Sequence, residues 1–461
     1  MTLTSVLGIG ANGLAAASHG TTVTSQNITN AATKGYTRRL TDLESIPLSE
    51  GGGVRSKAST RVQDAFLERR SLASHAFSGE TEARVRTLSV LDSVLSEDSG
   101  NIGAALDAFE SALADLSAYP GERGARQVVL ARATQLSQAF SRTADALTAT
   151  RVDANGEITD TINGVNGKLT QIGALGSKIA ATKAAGGDAG DLQDRRDQLV
   201  RDVASAIPVT VLHEDDGQIT LLLAGSRALV SADGSVTKLA ANLDPTSGDV
   251  RIYRTTAGAQ EDITGLISSG RVGGLVSARD GALAQARTEL DQLAFDISTA
   301  YNAVHSAGFG LDGATARNLF TPPSAVLGAA GAMRVSTDVA DQPDWLAAAT
   351  SAASVPGDNR NALALLALRD QAFAAGGTLT AQEAFSGIVA SGGSAVQGAL
   401  GDLDQADATL SQVEGLRQAM TGVSTDEEMI SLMTYQRAYQ ASLRVIETAD
   451  AMLQELMNMK R

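Results

Sequence analysis

Residues 425–461 read TDEEMISLMTYQRAYQASLRVIETADAMLQELMNMKR, and this stretch decides the architecture. Its apolar residues recur every three to four positions, as on one face of a helix. Met429, Leu432, Tyr439, Leu443, Ile446 and Leu453 form one seam; Ala438, Val445, Ala449, Met452 and Leu456 form an adjacent one. Thr425 at the N-cap position, with Glu428 three residues on, has the spacing of a capping box. Asp426 and Glu427 suit the positive end of the helix dipole, and Lys460 and Arg461 suit the negative end. Burying one Leu, Ile or Met side chain stabilises by roughly 1.5–3 kcal/mol, so a stripe this long can contribute on the order of 10 kcal/mol. A lone helix gains none of it, so the face requires a partner.

The first candidate partner lies at the other end of the chain. Leu3, Leu7, Gly10, Leu14, Ala17, Thr21, Thr24, Ile28 and Ala31 follow one another in steps of four and three, a heptad-like stripe. Asn, Lys and Gly predict that this helix stops between Asn30 and Gly35. The two ends are therefore expected to pair as coiled-coil helices, with other copies of the chain as the next partners. Polar sequence containing Gly51-Gly52-Gly53 follows the first helix and reads as an extended arm.

Between the ends, a chain of 461 residues has room for two or three domains. Residues 51–205 carry mostly helical periodicity and form the first half of a helical domain. Residues 206–275 change grammar: VTVLHEDDGQITLLLAG reads strand, turn, strand about Asp216-Gly217, and ALVSADGSVTKLA repeats the scheme about Asp233-Gly234. Residues 276–420 return to helix, with an irregular segment near 308–360. The expected fold class is mainly α with a β insertion. Its parts are paired terminal helices (1–50 with the arm, and 421–461), a helical-bundle domain formed by both halves of the chain, and a small β domain.

Composition narrows the function. Hydrophobic residues make up 43% of the chain and charged residues 19%, which marks it as globular. Only 3% are aromatic and the net charge is −15, so a nucleic-acid partner is not expected. The absence of cysteine removes disulfides, thiolate metal sites and a Cys nucleophile, and fits a protein used outside the reducing cytosol. The N-terminus lacks a basic region followed by a continuous apolar run, so no cleaved Sec signal is expected, and no stretch suggests membrane insertion.

The motifs that resemble catalytic or cofactor sites each have a simpler explanation. Gly8-Ile9-Gly10-Ala11-Asn12-Gly13 fits G-x-G-x-x-G, but lacks the preceding strand and following acidic residue of a dinucleotide site. Small residues for close helix packing explain it better. His213-Glu214-Asp215-Asp216-Gly217 begins like a zincin motif but has Gly217 where the second His belongs. His19, His75, His213 and His305 are scattered. Asp402, Asp404 and Asp407 read as a solvated helix face, and Asp194, Arg195, Arg196 and Asp197 as exposed ion pairs at a helix end. No catalytic, cofactor or metal site is expected, and a nucleotide- or metal-dependent enzyme is the remote alternative.

Two terminal stretches carry more. Asn27-Ile28-Thr29-Asn30-Ala31-Ala32-Thr33-Lys34-Gly35-Tyr36-Thr37-Arg38 resembles the N-x-A-N-x-x-T-x-G-Y/F signature of bacterial flagellar axial proteins, with Thr29 where Ala is usual. Glu428-Met429 followed by Gln436, Ala438, Tyr439 and Ala441 resembles their C-terminal signature. Within that group, Gly35-Tyr36-Thr37-Arg38, the Asp191–Leu199 stretch DLQDRRDQL, Asn302 with His305 and Gly308, and Gly357-Asp358-Asn359 resemble the hook-associated protein 1 (FlgK) family. A hook or distal-rod protein of the same axial group is the nearer alternative.

The resemblance implies a structural part of the hook–filament junction of the bacterial flagellum, outside the cell. It implies export through the flagellar type III channel and assembly into a helical or ring-shaped homo-oligomer. The implied partners are hook protein, the second junction protein FlgL, and the chaperone FlgN on the C-terminal helix. The residues expected to set subunit contacts are Leu3, Leu7, Leu14, Asn27, Ile28, Asn30, Gly35, Tyr36 and Arg38 at one end. At the other they are Glu428, Met429, Leu432, Gln436, Tyr439, Leu443, Ile446 and Leu453.

Overall fold

A computed structural model describes residues 2–47, 52–96, 101–214, 216–256 and 258–459. The expectations placed on Gly51, Asp215, Lys460 and Arg461 lie outside the described residues. In chain order, helix α1 (Leu3–Asn30) leads into four short strands, β1 (Arg39–Leu40), β2 (Leu43–Ile46), β3 (Gly53–Ser56) and β4 (Thr60–Arg61). Helices α2 (Ala65–Ser96), α3 (Ile102–Ala118), α4 (Arg123–Ala184) and α5 (Gly190–Ala204) follow. Six strands come next: β5 (Val209–His213), β6 (Ile219–Leu223), β7 (Arg227–Val230), β8 (Leu239–Leu243), β9 (Val250–Thr256) and β10 (Ala259–Asp262). The remainder is helical: α6 (Gly270–Ala278), α7 (Ala284–Ala307), α8 (Ala329–Ala332), α9 (Arg360–Ala367), α10 (Ala381–Thr421) and α11 (Thr425–Met459). The fold is mainly α, with long helices at both ends and small antiparallel sheets.

Compact unit 1 comprises residues 1–80, 160–272 and 405–461. The arm after α1 folds into two ladders, β1 with β4 and β2 with β3, both antiparallel. Strands β5–β6–β7 form one three-stranded sheet and β8–β9–β10 another. Turn chemistry fixes the β5–β6 hairpin: Gly217 has φ +86°, and Asp216 accepts the Gln218 N–H at 2.9 Å. Side chains alternate as a half-buried strand requires, with Val211, Ile219, Leu221 and Leu223 inside.

The hairpin expected about Asp233-Gly234 forms its turn, with Gly234 at φ +82° and Asp233 accepting the Ser235 N–H at 2.9 Å. Its return strand is short: the Thr237 N–H donates to the Leu229 carbonyl at 2.8 Å and one bridge pairs Val230 with Val236. Leu239 leaves that sheet because α4 holds it. Asn166 Nδ2 donates to the Leu239 carbonyl and the Leu239 N–H donates to Asn166 Oδ1, both at 2.8 Å. The strand it begins, β8, pairs with β9 instead.

Compact unit 2 comprises residues 81–159 and 273–404. Its core is built on Leu106, Phe109, Phe140, Leu290, Ile297, Tyr301 and Phe320, all fully buried. Phe109 meets Tyr301 and Phe320 edge to face, with ring centroids 5.2 and 6.0 Å apart. Side chains of α7 hold the irregular segment that follows it. Asn302 Oδ1 accepts the Leu319 and Phe320 N–H groups at 2.9 and 2.8 Å, and Asp291 accepts those of Gly328 and Ala330. His305 Nε2 accepts the Ala347 N–H at 3.0 Å, which leaves Nδ1–H to donate to the Arg317 carbonyl at 2.8 Å. Burial holds the His305 ring well below its ordinary value, at about 4.

Candidate functional site: the joint of the two terminal helices

Helices α1 and α11 pack along their length. What lets them approach is small residues on α1. A Cβ added to Gly10 would stand 2.8 Å from Ile446, one on Gly13 would stand 2.8 Å from Ser442 Oγ, and one on Gly20 would stand 2.5 Å from the Tyr435 ring. The demand for glycine is strongest at Gly20, against a rigid ring; at Gly13 the Ser442 hydroxyl could rotate away from a methyl group. Gly10, Ala16, Ala17, Gly20, Val23, Thr24 and Asn27 are the buried residues of α1.

The buried face of α1 is thus turned by about one position from the stripe read in the sequence. Leu3, Leu7, Leu14 and Ile28 lie at its margin, half-buried. On α11 the seam towards α1 runs through Glu428, Tyr435, Ser442 and Ala449, spaced by seven, with half-buried Leu432, Ile446 and Leu453 alongside. Met429, Gln436, Tyr439 and Leu443 are exposed, so the expected single seam divides into a covered part and an uncovered part.

At the base of the pair lies a buried polar network. Asn27 is 1% exposed and Glu428 3%. Asn27 Nδ2 donates to Glu428 Oε2 and to the Arg39 carbonyl, each at 2.9 Å. Its Oδ1 accepts the Tyr36 hydroxyl at 2.9 Å and the Arg39 N–H at 3.1 Å. All four hydrogen-bonding positions of the amide are filled, which neither Asp nor a hydrocarbon can reproduce. Arg38 closes the network from the far side: Nε donates to Glu428 Oε1 at 2.8 Å and Nη1 to Glu427 Oε2 at 2.9 Å. The Arg38 N–H donates to the Thr421 carbonyl at 2.9 Å, tying the arm to the end of α10.

This network displaces the expected capping box. Glu428 bonds Asn27 and Arg38 rather than closing on Thr425. Ser424 is the residue outside the first turn: its carbonyl accepts the Glu428 N–H at 3.0 Å, and its hydroxyl lies 3.5 Å from the Glu427 N–H. Gly35 makes the reversal between α1 and the arm at φ +85°, with Arg201 and Gln198 each 3.3 Å from where a Cβ would stand. Asn30 stays at the end of α1, donating to the Gln26 carbonyl at 3.0 Å, and takes no part in the joint with α11.

A ladder of ion pairs continues from the joint to α5. Arg39 is buried, with its guanidinium 5.0 Å from the centre of the Tyr36 ring. It donates to Asp191 and, at 3.4 Å, to Asp194. Arg61 Nη2 reaches Asp194 and Asp197, each at 2.8 Å. Arg196 pairs with Asp197 at 3.0 Å and donates through Nη1 to the Gly217 carbonyl at 2.7 Å.

Arg196 and Asp197 are therefore buried, not the exposed ion pairs expected at a helix end. Burial pushes the Asp197 carboxyl up, but Arg61 and Arg196 outweigh it and hold the group below the usual range. Burial pushes the Tyr36 hydroxyl up to about 12, against the opposing pull of Arg39, so it stays a donor to Asn27. Arg39, Arg61, Tyr435 and Ser442 belong to the joint but were not singled out from the sequence. The one signal available was the density of opposite charges in Asp191–Asp197.

The joint is made of close helix packing, hydrogen bonds and ion pairs. It fixes the angle and register of two helices on a folded base. Among the described residues, no group of three or more His, Cys, Asp or Glu is placed to hold a metal ion. Also among the described residues, no helix is long and apolar enough to cross a membrane.

Comparison with known proteins gives this joint a class. Residues 418–459 match the family described as flagellar basal body rod FlgEFG protein C-terminal, which sets the end of the chain among flagellar axial proteins. Residues 88–320 match the flagellar hook-associated protein FlgK helical domain. The chain belongs to the FlgK family of flagellar hook-associated proteins.

Flagellar hook-associated protein 1 of Bacillus subtilis (strain 168) is 26% identical, over 94% of this chain and 94% of that protein. Its counterpart in Salmonella typhimurium is 25% identical, over 99% of this chain and 100% of that protein. The structure of the flagellar hook junction protein FlgK from Burkholderia pseudomallei shares the fold, with a TM-score of 0.69 at 15% identity over 77% of this chain and 100% of that one. The chain is thus a structural protein of the bacterial flagellum.

Proposed function

We propose that the chain builds the hook–filament junction, and that it assembles with copies of itself through the faces of α1 and α11 that remain uncovered. One observation carries this reading. Helix α11 commits a single stripe to α1 and leaves apolar side chains on both flanks in solvent, at heptad spacing on one flank and alternating with Gln436 and Asp450 on the other. Met429, Leu443 and Met457 lie on one side of the seam; Val445, Met452 and Met459 lie on the other. All six are at least 36% exposed. Apolar side chains on both flanks of a seam suit a helix with neighbours on both sides.

On this reading the chain sits outside the cell and travels there without a cleaved signal. Its neighbours are hook protein and the second junction protein FlgL. Before export, the chaperone FlgN covers the apolar face of α11, which would otherwise aggregate. The five segments read from the sequence (1–50, 51–205, 206–275, 276–420 and 421–461) serve as assembly ends, a helical body and an outer β domain.

The test is complementation of a strain lacking the chain with a Leu443→Asp, Met452→Asp variant. The expected result is bare hooks by electron microscopy with flagellin shed to the medium. Normal filaments in that strain would sink the proposal.

A further inference from the structure

Methionine is distributed unevenly in this molecule. The chain has eight methionines and no cysteine. Met333 is 6% exposed, in the core of unit 2. Met420, Met429, Met433, Met452, Met457 and Met459 are 49–83% exposed, and all six lie on the end of α10 or on α11. Four of them fall on the stripes that flank the α1 seam. Thioethers are soft and accessible here, and no thiol elsewhere in the chain competes for an oxidant.

We infer that this face is a site of methionine oxidation, at which a hydroperoxide oxidant converts exposed thioethers to sulfoxides and so disables the face for packing. A sulfur lone pair attacks one oxygen of hydrogen peroxide. The S–O bond forms as the O–O bond breaks. The sulfur loses two electrons, the peroxide gains them, and the departing hydroxide takes the proton still carried by the sulfur-bound oxygen, leaving sulfoxide and water. The product carries a strong dipole that only accepts hydrogen bonds. Solvent satisfies that dipole on the free chain. In an apolar interface nothing does, so the modification leaves the monomer folded and weakens its assembly. The second half of the inference rests on the assembly role given to α11 above.

The experiment uses the full chain. Dilute hydrogen peroxide is added to the free protein, and oxidation at each methionine is followed by peptide mapping. The six exposed methionines should oxidise well before Met333. Treated and untreated protein are then added to isolated hooks that lack the chain. Incorporation should fall about tenfold or more after treatment, because one unsatisfied buried dipole already shifts an equilibrium by that much. Methionine sulfoxide reductases A and B should restore it.

A variant with all six residues changed to Leu, a volume-conserving replacement, should incorporate equally with and without peroxide. Its melting temperature and helix content check that it folds. Oxidation of Met333 at the same rate as the others overturns the site. Full incorporation of the oxidised protein overturns the consequence. Failure of untreated protein to incorporate overturns the assembly reading instead, and the peptide map alone then decides whether the face is an oxidation site.

Discussion

Helices α7 and α11 are both amphipathic, and the molecule treats them in opposite ways. Over 24 residues α7 buries ten, from Ala286 to His305. Over 35 residues α11 buries two, Glu428 and Ala449. The apolar residues of α7 lie in a core closed by α3, α9 and the segment it holds with Asp291, Asn302 and His305. Those of α11 meet one neighbour, α1, through glycines, and are otherwise wet. On the assembly reading proposed above, the uncovered apolar residues of α11 are the part that other subunits cover. The specificity of α11 lies at its base, where Glu428 is held by Asn27 and Arg38.

The difference should be largest in the cost of truncation. Phe109→Ala empties the aromatic centre against α7, and should destabilise unit 2 by about 3–5 kcal/mol in denaturant unfolding of the monomer. A loss below about 1 kcal/mol would mean that this core is not the closed one described.

Next comes Asn27→Asp, which sets a second carboxylate against Glu428 with no change in shape. It should cost the joint on the order of 3 kcal/mol, as breaking a buried paired network does. Amide hydrogens of α11 should exchange faster while those of α7 are unaffected. Adding Glu428→Gln should recover much of the loss, and an unchanged α11 in the single variant would show the network to be dispensable.

Acid should separate the two regions as well. His305 has a folded value of about 4 against an ordinary 6.5, so the folded state holds the neutral ring. Its contribution is complete above pH 6.5 and is lost as pH falls from 6.5 towards 4, on the order of 3 kcal/mol in all. Glu110 works in the opposite sense. Burial raises it from 4.5 to about 7 despite Arg369, so its penalty grows as pH rises from 4.5 and is complete near 7. Between about pH 4.5 and 6.5 the two opposing trends nearly offset, and removing one of them in His305→Gln should leave an acid limb along which stability rises as pH falls. An unchanged acid limb would assign the loss to other groups.

The smallest effect is expected on the outward face of α11. Leu443→Asp should change monomer stability by less than about 0.5 kcal/mol, because the side chain already meets water. In limited proteolysis the free chain should be cut first near its ends, roughly residues 1–50 and the last 40. First cleavage within α7 would reverse the contrast.

How much of this was legible in the sequence follows from the kind of signal each element carries. The extents of α1 and α11 follow from periodicity and stop residues. Asp216-Gly217 gives its turn because the chemistry is local. The phase of the α1 face is only partly legible: the run Gly8–Gly13 reads as small residues for close helix packing, and Gly10 and Gly13 do face α11, but Leu14 and Ile28 dominate any reading of hydrophobicity and the isolated Gly20 carries no such signal. The capping box fails for a related reason: the partners Asn27 and Arg38 stand about 400 positions from Glu428, beyond any local pattern. Buried charge is likewise invisible locally. Nothing in Asp194–Asp197 shows that Arg61 comes from the arm to meet it.

The central claim is that α11 is half of an interface whose other half is supplied by neighbouring subunits. Covalent footprinting of α11 in the free chain and in assembled flagella tests it most directly. Side chains at 429, 443, 445 and 452 should label strongly in the free chain and be protected after assembly, while Ala449 and Ile446 stay protected in both. Equal labelling of the outward stripes in the two states would contradict the account.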